Sequence, residues 1–250
     1  MSLSFAYTGA QLSFSDAFST AKDQFAGKRR LLEAANLVFH DFWGENKNLD
    51  IALHRVPGHD SFQYLTEEKV NSLYLGTLGY PGKALLIRPE YEAMYNELLS
   101  SNRECHGVGG VVVTGQPGIG MCLSPAVSFL NVNQVQGKTC FLYYLLFRLL
   151  NSEKTVALQV NDRFVLFEDT GVLLYDASNS LIPNGTWMLT DSHVKYHDPC
   201  GAFLHAHTIR TGWMVQTTSL VTRWVEWQKE HISPVYYMDV FSEDELLALA

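Results

Sequence analysis

The stretches VVVTGQPGIG, Val111–Gly120, and GKTCFLYYLLFRLL, Gly137–Leu150, decide the fold of this chain. The first begins with a β-branched run and ends in glycines, which is typical of a buried parallel strand followed by a loop. The second starts with a Lys-Thr pair and continues as an apolar segment long enough for a helix. A strand, a glycine-rich loop and a helix in this order predict an α/β unit, which the residues Met121–Gln136 interrupt.

The two fragments join into one motif when the seventeen residues Met121–Gly137 are removed, because the chain then contains VVVTGQPGIGKTCFLYYLLFRLL. This matches GxxxxGK(S/T), in which backbone N–H groups surround a phosphate, the Lys reaches the terminal phosphates and the hydroxyl binds Mg²⁺. We therefore interpret the fragments as two halves of a phosphate-binding loop. The predicted nucleotide-binding residues are Gly115, Gln116, Pro117, Gly118, Ile119, Gly120, Gly137, Lys138, Thr139 and Cys140.

Two interpretations of the interruption are open. Gly120-Met121-Cys122 can be encoded by GGT-ATG-TGT, which contains the intron-donor string GTATGT. Our hypothesis is a short in-frame intron retained in the reading frame, and the alternative is a genuine loop insertion. Closing such a loop costs only about 2 to 3 kcal/mol. The break nevertheless separates the glycine amides from Lys138. We therefore expect weak or absent nucleotide binding by the chain of 250 residues that contains the interruption.

A Mg²⁺-dependent phosphate site also needs a carboxylate at the end of a neighbouring strand. Asp191 follows the predicted strand Trp187–Thr190, whereas Glu168 and Asp169 follow Phe164–Phe167. Asp191 is favoured because the segment between it and the next predicted strand, which begins at Gly212, is long enough for a helix, and because that strand leads to a cluster of hydroxyl residues. Lys138 and Asp191 are therefore the predicted catalytic residues.

The predicted strand after Asp191 ends in the hydroxyl cluster Thr217, Thr218 and Ser219. We expect this cluster to sense the γ-phosphate, and the alternative is an ordinary N-cap of the helix Leu220–Lys229. Thr139 and Asp191 are the predicted Mg²⁺ ligands.

The remaining pattern predicts a mostly parallel sheet flanked by helices, preceded by a mainly helical region. We expect a flexible N-terminus over residues 1–27, an N-terminal helical region over 28–104 and the core over 105–250. In the helical region Lys28–Trp43 and a segment that starts at Pro89 have helical spacing, and His54–Phe62 is expected to be a loop. Further predicted elements are the strands Thr155–Val160, Arg163–Phe167, Val172–Tyr175, Gly212–Gln216 and Val235–Met238 and the helices Lys138–Leu150 and Ser219–His231.

Composition limits the functional classes. The chain has 250 residues, a net charge of -8 and 47% hydrophobic residues, which favours a packed core and disfavours general nucleic-acid binding. Four cysteines without a CxxC pair, and no recognisable signal peptide or apolar membrane segment, predict an intracellular protein, cytoplasmic or nuclear, with no membrane partner. The oligomeric state is left open.

A dense group of possible metal ligands begins at Asp191. Its members are Asp191, His193, His197, Cys200, His205 and His207. Their spacing is compatible with zinc, but Pro199 and Gly201 favour a loop there, so ordinary histidines are the preferred interpretation.

These motifs resemble a known family. GQPGIG with GKTCFLYYLLFRLL, TWMLTDS, MVQTTS and VYYMDVFSEDELLAL look like the P-loop NTPase module of fungal Crinkler and retrotransposon-hot-spot proteins, relatives of the AAA+ and STAND ATPases, over roughly residues 28–250. The resemblance implies that Gly115, Gly118, Gly120, Lys138 and Thr139 form Walker A, that Asp191 is the Walker B residue, and that Thr217–Ser219 lie on the sensor strand.

The resemblance has three departures: the interrupted Walker A loop, the end of the chain at Ala250 where a helical lid would begin, and the absence of an LFLAK-type translocation motif. It implies a module that binds ATP with Mg²⁺ and hydrolyses ATP as a regulatory switch or motor. It also implies that the module acts together with a missing effector domain or an unknown protein partner. The alternative is a degenerate NTPase fold that binds a partner through Trp43, Phe62, Tyr64 and Tyr74.

Overall fold

The computed structural model describes residues 14–44, 54–56, 59–104, 109–115, 137–178, 181–192, 198–218 and 234–239, with backbone alone for 14–22, 54–56 and 59–62. In chain order the elements are α1 (Phe14–Phe42), β1 (His54–Val56), β2 (His59–Leu65), α2 (Glu67–Ser72), β3 (Leu85–Ile87), α3 (Pro89–Glu104), β4 (Gly109–Gly115), α4 (Gly137–Asn151), β5 (Val156–Val160), β6 (Arg163–Glu168), β7 (Gly171–Asp176), β8 (Thr186–Ser192), α5 (Gly201–Thr208), β9 (Gly212–Thr218) and β10 (Val235–Met238).

The main sheet has seven strands among the described residues, in the order β10-β4-β9-β8-β5-β6-β7. The pairs from β10 through β5 are parallel, and β6 and β7 extend the sheet as an antiparallel hairpin. The predicted α/β class with a mostly parallel sheet flanked by helices is therefore confirmed. Each predicted strand of this sheet recurs within two residues of its predicted ends, because its apolar run and its flanking turn residues are local signals.

The N-terminal region differs from the prediction. Helix α1 begins at Phe14, before the predicted start at Lys28, and the predicted loop His54–Phe62 contributes to two strands. With β3 these strands form a three-stranded antiparallel sheet in the order β1-β2-β3. The Pro-Gly pair inside that stretch is a hairpin turn signal as much as a loop signal. Helices still account for most of the described residues of 28–104, and the small antiparallel sheet is the part that was not predicted.

Helix α4 is the centre of the packing. All of its residues from Gly137 to Leu150 except Arg148 are buried. Its apolar side chains share one core with Val113, Leu189 and Val215 of the sheet and with residues of α1 and α3. A helix that is apolar on all sides is buried on all sides, and this packing fixes the first turn of α4 relative to the sheet.

Strand alternation gives the sheet two different faces. On one face β9 and β8 bring Thr217 and Asp191 towards the side of α4, in line with the buried Val215 and Leu189. On the other face Met214 and Met188 pack with Phe203 of α5. No helix among the described residues is long and apolar enough to cross a bilayer.

Candidate functional site

Polar side chains meet at the carboxyl edge of the parallel strands. Thr217 of β9 lies between Val113 of β4 and Asp191 of β8 in the sheet register. The chain leaves β4 after Gly115 and is described again at Gly137, where α4 begins. The carboxyl edge of an open α/β sheet is the usual location of ligand sites, so these residues form the candidate site.

The Asp191 carboxylate is held by two hydroxyl groups. Thr139 donates a hydrogen bond of 2.7 Å to Oδ2, and Thr217 donates one of 2.7 Å to Oδ1. Both threonines are buried. Hydrogen bonds to an ionised carboxylate are stronger than those between neutral groups, so this triad connects the first turn of α4 to two strands.

Lys138 is the unusual member of the site, because its side chain is only 1% exposed and its Nζ has no hydrogen-bond partner within the described part of the chain. Burial lowers the pKa of Lys138 below its usual value of 10.5, and the negative charge of Asp191 partly opposes that effect. A buried amine without a partner has a free-energy cost that a bound anion would offset. This side chain is therefore suited to an anionic ligand.

The start of α4 is also held from the N-terminal region. The hydroxyl of Tyr91 donates a hydrogen bond of 2.7 Å to the carbonyl oxygen of Gly137. The thiol of Cys140 lies 3.5 Å from the hydroxyl of Tyr80, and burial raises the pKa of Cys140 to about 12. The side chain of Cys140 thus packs against the N-terminal region, and only its backbone amide can serve the predicted phosphate loop.

The structure brings together Lys138, Thr139, Asp191 and Thr217 from the predicted site. It separates Thr218, which pairs with Ser192 on the α5 side of the sheet. Gly115 ends β4, beside Met238 of β10, and Gly137 begins α4. The predicted residues Gln116, Pro117, Gly118, Ile119, Gly120 and Ser219 lie outside the described residues, as do the predicted helix Ser219–His231 and the acidic segment after Asp239.

The competing carboxylates Glu168 and Asp169 are excluded from this edge by the direction of their strand. β6 is antiparallel to β5, and its Phe167 pairs with Val156 at the amino end of β5. The end of β6 therefore lies at the opposite edge from Asp191, where Glu168 accepts a hydrogen bond from Thr170. The sequence alone did not show that β6 runs antiparallel to β5, because this reversal depends on the hairpin that the two strands form.

The possible zinc ligands do not converge in the described part of the chain, where no group of three such residues could hold a metal ion. His205 and His207 lie in the last turn of α5, and Cys200 precedes its first turn. Asp191 belongs to the other face of the sheet, and His193 and His197 lie outside the described residues.

The aromatic residues of the predicted partner surface are only partly exposed. Tyr74 is 60% exposed, whereas Trp43 packs against the core and Tyr64 is half-buried. The side chain of Phe62 lies outside the described residues. Among the described side chains of this set, Tyr74 is therefore the most exposed.

Two contributions to the site were not predicted. The helical stripe after Pro89 indicates that Tyr91 is a core residue, but it does not reveal the bond to Gly137. The bond from Thr217 to Asp191 also requires knowledge of which strands are neighbours.

The chain matches no known protein-family model, and no curated protein or solved structure is significantly similar to it. What is established is the class: an α/β protein with a mostly parallel sheet flanked by helices and a polar site at its carboxyl edge. A functional assignment therefore depends on the chemistry of that site.

Proposed function

We propose that the chain is an ATP-binding P-loop NTPase module that uses Mg²⁺. The observation that carries the proposal is the meeting of Lys138, Thr139 and Asp191 at the start of α4. There Thr139 is bonded to Asp191, and the buried amine of Lys138 has no hydrogen-bond partner among the described residues. An ammonium and a hydroxyl at a helix start, opposite a carboxylate from another strand, are the groups that a nucleotide phosphate and its Mg²⁺ require.

The strand order supports the same class. β9 separates β4, which leads towards the Lys-Thr helix, from β8, which carries Asp191. The segments that the resemblance assigns to the phosphate loop, the Walker B carboxylate and the sensor strand include β4, β8 and β9, and these strands are neighbours in the sheet. The strand of the VYYMDVFSEDELLAL motif, β10, lies on the other side of β4.

Each residue has a separate role in this proposal. Lys138 neutralises charge on the terminal phosphates, and its amine gains in the complex the hydrogen-bond partner that it lacks among the described residues. Thr139 and Asp191 supply oxygen atoms, which are the ligands that Mg²⁺ prefers. Bound Mg²⁺ would offset the negative charge of the phosphate oxygens.

Slow hydrolysis of the γ-phosphate by a water molecule is part of the proposal, and it would make the module a regulatory switch or a motor. None of Glu168, Asp169 and Asp191 is placed to act as the general base. Glu168 and Asp169 end at the opposite edge of the sheet, and both oxygens of Asp191 accept bonds from threonines.

The second candidate function is a degenerate NTPase fold that acts as a protein-interaction module. The interruption Met121–Gly137 favours it, because the residues between Gly120 and Lys138 separate two groups that have to meet on one phosphate. This candidate predicts a folded chain that neither binds nor hydrolyses nucleotide.

Mg²⁺-dependent release of phosphate from ATP distinguishes the two functions. The NTPase proposal requires release that Lys138→Ala abolishes and that Lys154→Ala, an exposed lysine just beyond α4, leaves unchanged. The measurement is made on the full chain and on a variant that lacks Met121–Gly137. If neither form binds or hydrolyses ATP, the interaction module is the better description.

A further inference from the structure

The contact between Thr217 and Asp191 bears on what Thr217 does. Thr217 is fully buried in β9, and its hydroxyl donates a hydrogen bond of 2.7 Å to Asp191 Oδ1. Oδ2 of the same carboxylate accepts a bond of equal length from Thr139. The carboxylate is thus held at both oxygens, once from the helix and once from the neighbouring strand.

The direction of the first bond restricts the ligand that Thr217 can contact. A threonine hydroxyl has one hydrogen to donate and otherwise only lone pairs. In Thr217 that hydrogen is directed to Asp191, and phosphate oxygens need donors. The hydroxyl in this arrangement therefore has nothing to offer a γ-phosphate, although the sequence predicted a phosphate sensor here.

The same bond restricts the motion of Asp191. The terminal torsion of an aspartate is broad, so a carboxylate with a single hydrogen bond can rotate about that contact. A second bond from a different element fixes the plane of the group. Partners that orient metal-binding side chains typically affect metal affinity by about 10-fold to 100-fold.

We propose that Thr217 is a positioning residue that orients the Asp191 carboxylate towards Mg²⁺ and thereby sets the Mg²⁺ affinity of the nucleotide site. This inference rests on the proposed nucleotide function. It assigns Thr217 an effect on the cation and none on the discrimination between ATP and ADP.

The test compares variants of Thr217 with a matched control. Thr217→Val keeps the shape of the side chain and removes the hydroxyl, and Thr217→Ser keeps the hydroxyl. Thr190→Val removes another buried hydroxyl, which donates to Gln159 next to Asp191 but on the other face of the sheet. Thermal unfolding checks that each variant is folded, and Thr217→Ala replaces the valine variant if that one does not fold.

Fluorescent ATP and ADP analogues are titrated in EDTA and in rising Mg²⁺, with the full chain and with the variant that lacks Met121–Gly137. We expect Thr217→Val to raise the Mg²⁺ concentration for half-maximal enhancement by about 10-fold or more. Nucleotide affinity in EDTA should not change, and Thr217→Ser and Thr190→Val should behave like the unaltered protein.

Two results would overturn the inference. If Thr217→Val weakens ATP more than ADP in EDTA and leaves the Mg²⁺ dependence unchanged, Thr217 contacts phosphate. If the variant changes neither property, Thr217 has no part in the site. Absence of nucleotide binding in both starting proteins has a different meaning, because it contradicts the proposed function and the inference fails with it.

Discussion

The hydroxyl of Thr139 donates a 2.7 Å hydrogen bond to Oδ2 of Asp191 across 52 positions of sequence. The bond joins the first turn of α4 to the carboxyl end of β8, two elements that are not consecutive in the chain. Because α4 is buried along almost its whole length, its first turn cannot move without disturbing the core. The site is therefore held by the packing of the fold as well as by its own hydrogen bonds.

Replacing Asp191 with Asn should remove the Mg²⁺ dependence of nucleotide binding. The amide keeps one acceptor oxygen, but its NH₂ group would face one of the two threonine hydroxyls that now donate to the carboxylate. We expect a loss of about 1 to 3 kcal/mol in the free energy of unfolding, measured by denaturant titration. The control is Asp162→Asn, in the exposed turn after β5. Unchanged Mg²⁺ dependence in Asp191→Asn would contradict the role of Asp191.

Replacing Lys138 with Met should abolish nucleotide binding and stabilise the free protein. Met keeps most of the apolar volume of the side chain and removes a buried amine that has no hydrogen-bond partner among the described residues. We expect a gain of about 1 to 3 kcal/mol in the free energy of unfolding at neutral pH.

The gain from Lys138→Met should depend on pH. The pKa of Lys138 is lowered in the folded protein, so between that pKa and the usual 10.5 the unfolded chain binds more protons than the folded chain. The stability of the unaltered protein therefore rises with pH in this window, and the advantage of the Met variant should shrink. Denaturant titrations at neutral and alkaline pH check this. A Met variant that is less stable than the unaltered protein would contradict the claim that the buried amine of Lys138 destabilises the free protein.

The sequence predicted the parts of the fold that have local signals. The apolar runs of β4 to β10 and the apolar segment of α4 recur in the structure, since each is encoded within its own segment. The small sheet β1-β2-β3 was missed because β1 and β3 have only three residues each and β2 is largely polar, so that none of them has a clear local strand signal. The Pro-Gly pair between the first two of these strands was interpreted as part of a loop, because the same dipeptide is typical of loops and of turns.

The sequence predicted several of the residues that meet at the carboxyl edge of the sheet, but not the hydrogen bond that Thr217 makes there. The Lys-Thr pair and Asp191 were identified from the residues around them in the sequence, whereas the hydrogen bond of Thr217 depends on which strand lies beside β8. Strand order is a property of the whole sheet, so no local pattern could show that the hydroxyl of Thr217 points at Asp191 rather than at a ligand.

Replacing Tyr91 with Phe should weaken nucleotide binding through the start of α4. The change removes the hydroxyl that donates to the carbonyl oxygen of Gly137. A net hydrogen bond contributes about 0.5 to 1.5 kcal/mol, and we expect a loss of that size in stability together with a several-fold loss of affinity.

Tyr95→Phe is the matched control for this change, because it removes a hydroxyl that pairs with Ser152 just beyond the far end of α4. It should have a similar effect on denaturant unfolding and none on the nucleotide titration. Equal affinities for the two variants would mean that the bond to Gly137 does not contribute to the site.

The affinity for ATP should fall as the pH rises through the lowered pKa of Lys138. The bound phosphate favours the ammonium form, so above that pKa the free protein has to take up a proton when it binds, and affinity falls by at most about tenfold per pH unit. Lys138→Arg is the control, since the guanidinium stays charged. Its affinity should be independent of pH over the same range, and an equal pH dependence in both proteins would assign the effect to another group.

Removing Met121–Gly137 should strengthen nucleotide binding, because it joins Gly120 directly to Lys138 and restores the consecutive amides that surround a phosphate. Gly120 then takes the position of Gly137, and the backbone carbonyl that accepts the bond from Tyr91 is kept. A control variant that replaces the sixteen residues Met121–Gln136 with a Gly-Ser linker of equal length keeps the separation and should remain weak. Fluorescent-nucleotide titration compares the three proteins, and sequencing of the transcript shows whether the seventeen codons are present in the message. Equal binding by the joined and linker forms would mean that the glycine amides and Lys138 do not act on the same phosphate.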